Sequence, residues 1–234
     1  MKQSGTSALL QDAVLDMASS VASALSGGGH APDGTATDGS PPGDLELAAA
    51  RVLGADLLLP AVLCGIPPTA DRLDLVRRTL EAFPPRPEAP PTVRWSHWAL
   101  RRALRQGADT SGTAIDDRRP PEPDAAWLDG APWPFLTHQL AVLASLALPG
   151  EDCAPARAAR VRTLDVARGF VRAVRRRDWL QAAGAGRWLT LLPDVPETLG
   201  LAAGLDFVEL MGGDDPRVLL QVRAARLTGA GALV

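Results

Sequence analysis

Apolar residues in this chain recur at three- and four-residue spacing in segment after segment, and proline and glycine cut the segments apart. Among 234 residues there are 21 Pro and 22 Gly. No run alternates apolar and polar residues with the two-residue period of a half-buried strand, and Val occurs singly at helical spacing. The pattern predicts an all-α fold of about seven to nine helices. It also predicts helical hairpins at the C-terminus and a tethered amphipathic helix at the N-terminus.

Three divisions follow from the breaks. Residues 1–26 read as the N-terminal helix, with Leu10, Val14, Met17, Val21 and Leu25 forming one apolar seam. A lone helix of this length is marginal in water, so the seam must dock on the body or pair with a second copy. Residues 27–44, rich in Gly, Pro and Ser, read as a flexible linker. Residues 45–234 read as one helical domain, interrupted by a long irregular loop over 108–132.

Within that domain, "LELAAARVLGADLLL" is expected to be helical and to end before Pro60. Thr69 is expected to cap the next helix, whose stripe is Leu73, Val76, Leu80 and Phe83. The nearly uncharged segment from Pro132 to Leu148 is expected at the centre of the core. Pro155–Leu192 reads as one long helix, or a pair broken near Gly184–Gly186. "FVRAVRRRDWLQAA" and "FVELMGGDDPRVLL" begin 37 residues apart and share Phe-Val and a later Asp. Asp178 and Asp215 suit N-caps, with Pro216 at a first helical position.

Residue usage excludes whole chemistries. The chain has no Asn and no Tyr, and its one Lys is Lys2. A Walker lysine, a Schiff-base lysine and a tyrosyl acid are therefore absent from it. Arg in place of Lys, with few Ile, matches a high-GC bacterial genome of the actinobacterial type. Arginine abundance is then partly codon bias. Cys64 and Cys153 are far apart and fit no metal spacing, and no metal or cofactor motif is visible. The longest strongly apolar run, Leu57–Ile66, contains a proline and falls short of the ~20 residues of a membrane span. A cytoplasmic location is expected.

The basic residues are not spread evenly. Arg172, Arg175, Arg176, Arg177 and Arg187 crowd one stretch of a chain whose net charge is −3. On a helix running from Arg157 to Trp179, an arc of Val166, Ala167, Phe170, Val171 and Val174 lies beside an arc of Arg157, Arg160, Arg168, Arg172 and Arg175. An ordinary solvated face, offset by Asp152, Asp165 or Asp178, is the plainest account. Arg168, Arg172 and Arg175 also form a surface suited to an acidic protein or peptide. Nucleic acid suits it less, because the chain is acidic overall.

"RWSHWALRR" adds Trp95 and Trp98 as partner-binding aromatics, with arginines one turn away. His97 and His138 are the weak catalytic candidates, and would matter if they shared a cavity. The function these residues favour is a non-catalytic helical adaptor that binds a protein or peptide, with a homo-oligomer through the N-terminal helix as a further expectation. An accessory or catalytic subunit of a biosynthetic or peptide-modifying enzyme is the alternative, and a DNA-linked regulator the second.

Overall fold

The computed structural model describes residues 2–27, 43–112 and 120–231. Among these residues every regular element is helical and there is no strand. Apart from its ends, the linker expected over 27–44 lies outside the described residues, as do residues 113–119 of the loop expected over 108–132. Eleven α-helices are described, more than the seven to nine expected, because residues 154–189 form three helices and a further short helix covers Leu59–Cys64.

Packing groups the chain into two compact units, 1–89 with 96–120, and 90–95 with 121–234. This grouping differs from a division at 1–26, 27–44 and 45–234, since the first helix shares a unit with the three that follow.

In the first unit, α1 (Lys2–Leu25) packs on α2 (Asp44–Leu53) and on α3 (Leu59–Cys64), with a 3-10 turn over Gly54–Leu58 between the latter two. Its buried stripe is Val14, Ala18, Val21, Ala22 and Leu25, while Leu10 and Met17 are half-buried. Two alanines in the seam let the helices approach closely, and α2 answers with buried Ala49 and Ala50. The seam is thus covered within the chain. Pro60 does not end a helix but sits in the first turn of α3, where its missing N–H costs nothing. Thr69 accepts the Arg72 N–H at 3.2 Å and starts α4 (Ala70–Ala82), which buries Leu73, Leu75, Val76 and Thr79.

Among the described residues, two stretches, Thr6–Leu25 and Asp44–Cys64, are long and apolar enough to cross a membrane by length and composition. The second is α2, the turn and α3 in succession, and 50% of it is buried inside the protein.

α5 (Pro91–Thr110) contributes residues to both units. Trp95 and Trp98, expected at a partner surface, are buried at 0% and 3% exposure. Their indole N–H groups donate to the Asp124 and Pro120 carbonyls at 3.1 Å each. They are core residues that pin Pro120 and Asp124, so the described parts of the loop expected over 108–132 are helix up to Thr110 and a tethered segment from 120. A further 3-10 turn over Ala126–Leu128 lies within it.

The second unit is built around α9 (Trp179–Leu189), whose residues Ala182 to Leu189 are all buried. α6 (Trp133–Val142), α8 (Thr163–Arg175), α10 (Leu201–Gly212) and α11 (Pro216–Gly231) pack against it. The uncharged segment from Pro132 to Leu148, expected at the centre, buries one face, with Leu136, Leu140, Leu143 and Leu146 at 2% exposure or less, and leaves Phe135 and Val142 about half exposed. α9 wins the centre because its glycines and alanines let neighbours in. A Cβ on Gly186 would meet Leu205 at 2.6 Å and Phe170 at 3.3 Å. Gly184–Gly186 therefore marks contact, not a helix break. The chain breaks instead at Arg162, between α7 (Ala154–Val161) and α8, and again before Asp178, whose carboxylate accepts the Gln181 N–H at 3.2 Å.

Candidate functional site

α8 has two distinct sides. Val166, Ala167, Gly169, Phe170 and Ala173 are buried. Gly169 lets α6 approach so closely that a Cβ would stand 2.4 Å from that of Thr137. Locking one face inward turns Arg168, Arg172 and Arg175 outward, and all three are exposed. Together with Arg176 they edge an open groove of about 620 Å³. The apolar part of its lining on α8, its floor, is Leu164, Ala167 and Val171, of which Leu164 is the most exposed. Trp133, at the start of α6, and Pro196, Thr198 and Leu199, around a 3-10 turn at Glu197–Leu199, complete the lining.

The arginines are held differently. Arg168 Nη1 reaches Asp165 Oδ1 at 3.2 Å. Arg172 lies over the Trp133 ring, with its guanidinium carbon 5.6 Å from the centroid, a cation–π arrangement that orients it without neutralising it. Among the described residues, Arg175 and Arg176 have no acid or hydrogen-bond acceptor for their side chains. Asp165 is shared, since its Oδ2 also accepts from Arg162 Nε at 2.8 Å.

The long arginine arc expected from the sequence is shorter in the structure. Arg162 has φ −120° and ψ 36°, and its Nη1 donates to the Ala131 carbonyl at 2.6 Å, which fixes the break before α8. Arg157 and Arg160 lie beyond that break. Arg157 pairs with Glu122 at 3.2 Å and Arg160 with Asp152 at 3.1 Å, so these two behave as a solvated, offset face. The hydrogen bond from Arg160, reinforced by the charge of Arg157, holds the Asp152 carboxyl below its usual range. Arg177 closes the end of α8 at φ 56°. Arg187 is not on the surface at all. It is fully buried in α9, with Nε donating to the Ala147 carbonyl at 3.3 Å and Nη1 to Gln221 Oε1 at 2.9 Å.

The two histidines fall in different units. His97 is half-buried, and burial, with Arg101 and Arg51 nearby, pushes its imidazole below the ordinary value. His138, expected inside an apolar helix, is exposed, its Nδ1 3.0 Å from Gln181 Oε1. Cys64 is an exposed thiol and Cys153 a buried one. Among the described residues no cluster of three or more His, Cys, Asp or Glu could hold a metal ion.

The groove can therefore grip anionic groups along one edge and cover apolar surface on its floor. Trp133 and the Pro196–Leu199 wall escaped sequence reasoning, because they lie about 40 and 25 residues from Arg172 and carry no periodic link to it. The arrangement defines an all-α protein with an arginine-edged apolar groove. No protein-family model, curated protein or solved structure matches the chain.

Proposed function

We propose that this chain is a non-catalytic, cytoplasmic adaptor that binds a polypeptide partner in the groove beside α8. The observation that carries the reading is the combination in one concave surface of exposed arginines and an apolar floor in which Leu164 is 58% exposed. Concave apolar sites with a few convergent polar groups are where proteins bind ligands. The lining supports binding over chemistry, since none of its residues is His, Cys, Asp, Glu or Lys. Arg keeps its proton at any working pH, so it can attract and orient an anion but does not shuttle a proton.

Placing the photo-reactive residue p-benzoylphenylalanine at Leu164 of the full chain, in cells of the native host, tests this. A discrete polypeptide adduct is expected from Leu164, and it should be lost when Arg172 and Arg175 are changed to Glu. Val161, 86% exposed on α7, is the control position. Equal adducts from both positions would defeat the proposal.

A further inference from the structure

The periodicity of the groove constrains its occupant. Arg168, Arg172 and Arg175 sit four and three residues apart on one helix. At about 1.5 Å rise per residue, they step along α8 by ~6 Å and then ~4.5 Å. The lining residues Leu164, Ala167 and Val171 run alongside in a second row, three and then four residues apart, over the same length of helix. We infer that the occupant is an acidic amphipathic helix of a partner protein, laid along α8 with carboxylates over the arginines and apolar side chains on the floor. This rests on the polypeptide-binding reading above and gives its partner a chemistry.

Spacing separates a helix from an extended peptide. Side chains on one side of an extended chain are ~6.6–6.8 Å apart. Two such steps overshoot the ~10.5 Å arginine row by about 3 Å, enough to lose a direct hydrogen bond at one end. Carboxylates at i, i+4 and i+7 of a second helix match both steps. Guanidinium forks then meet carboxylates with charge-assisted geometry.

Charge and floor together exclude simpler ligands. Four arginines line the groove, and among the described residues Asp165, beside Arg168, is the acid bonded to them. A small free anion would satisfy the arginines and leave Leu164 wet. A single-stranded nucleic acid would need open aromatic faces for its bases, and the aromatic of the groove, Trp133, already lies under Arg172. An apolar stripe beside an acidic stripe fits both rows at once, as in other helix-in-groove complexes.

Fluorescence anisotropy on the full chain tests the inference. The probe is a labelled, end-capped peptide of about 16 residues, long enough to hold a helix. It carries Glu at i, i+4 and i+7 with Leu one position along from each. Saturable binding is expected. It should weaken about ten-fold or more in Arg172→Glu/Arg175→Glu and as salt rises from about 0.1 M to about 0.5 M. The neutral variant Arg175→Gln/Arg176→Gln should weaken it less, and Leu164→Ser should weaken it with no change in salt dependence. Equal binding of a scrambled peptide of the same composition, or of its Glu→Gln version, would overturn the inference. So would preference for single-stranded DNA or anionic vesicles. If the peptide fails while the Leu164 polypeptide adduct persists, this inference falls alone. If the adduct is also missing, the polypeptide-binding reading falls with it.

Discussion

Gly184 of α9 lies directly on the backbone of Ala141 of α6: a Cβ added at Gly184 would stand 2.7 Å from the Ala141 carbonyl oxygen and 3.2 Å from its Cα. The obstacle is main chain, which cannot turn aside as a side-chain end can. Alanine in place of a mid-helix glycine ordinarily gains up to ~1 kcal/mol from backbone entropy. Here overpacking costs about 1–3 kcal/mol and outweighs it. Gly184→Ala should lower the urea midpoint, whereas the same change at an open helical glycine would raise it.

Arg187 is the largest polar commitment of the second unit. Removing its side chain takes a donor from the Ala147 carbonyl and from the Gln221 amide oxygen and leaves a cavity. Arg187→Ala should cost about 3–5 kcal/mol in denaturant unfolding. Arg187→Lys keeps the charge but cannot fork to both acceptors, and should fall between. A double-mutant cycle with Gln221→Ala should show coupling of about 0.5–3 kcal/mol.

Val21 is 2% exposed in the α1 seam, while Met17 is half-buried. Val21→Asp buries an unpaired carboxylate and should cost more than about 3 kcal/mol. Met17→Asp can turn its charge outward and should cost less. Because the seam is covered by α2 and α3, neither change should alter the sedimentation coefficient before unfolding. A dimer that dissociates would point to docking between chains instead.

His97 gives the first unit a pH dependence of definite sign. Burial, then Arg101 and Arg51, lower its folded pKa below the ordinary imidazole value of 6.5. The unfolded chain therefore binds the proton more readily, and the native state is favoured by the neutral ring. Stability on this account is full above about 6.5 and falls as pH drops from there toward the lowered folded value. Chemical denaturation at stepped pH should show that slope, and His97→Gln should flatten it. Arg101→Gln should shrink it without abolishing it, since burial is the larger cause.

Arg172 and Arg175 face solvent, so their reversal to Glu should change the melting free energy by no more than ~1 kcal/mol. A large loss of stability would mean that the groove edge holds the fold together and is not a binding surface.

Local information determined a good deal. The three- to four-residue apolar period gave helices and no strands, because one apolar stripe per helix is what a helical core requires. Thr69 and Asp178 announced helix starts, since a short side-chain oxygen can satisfy an orphan N–H three residues on. The row of Arg168, Arg172 and Arg175 was legible for the same reason, being a property of one helix. What depends on two segments meeting was not. Gly184–Gly186 looked like a break and is a contact, because the reason for those glycines is a neighbouring helix that sequence spacing does not show. Trp95 and Trp98 looked like a surface pair, yet partners at Asp124 and Pro120 bury them. Five clustered arginines looked alike, but packing sent Arg187 into the core and left Arg172 over Trp133. Charge and periodicity are local quantities, fixed by the order of residues. Burial is decided by which surfaces the whole chain brings together, and only the tertiary structure turned a row of arginines into the edge of a groove.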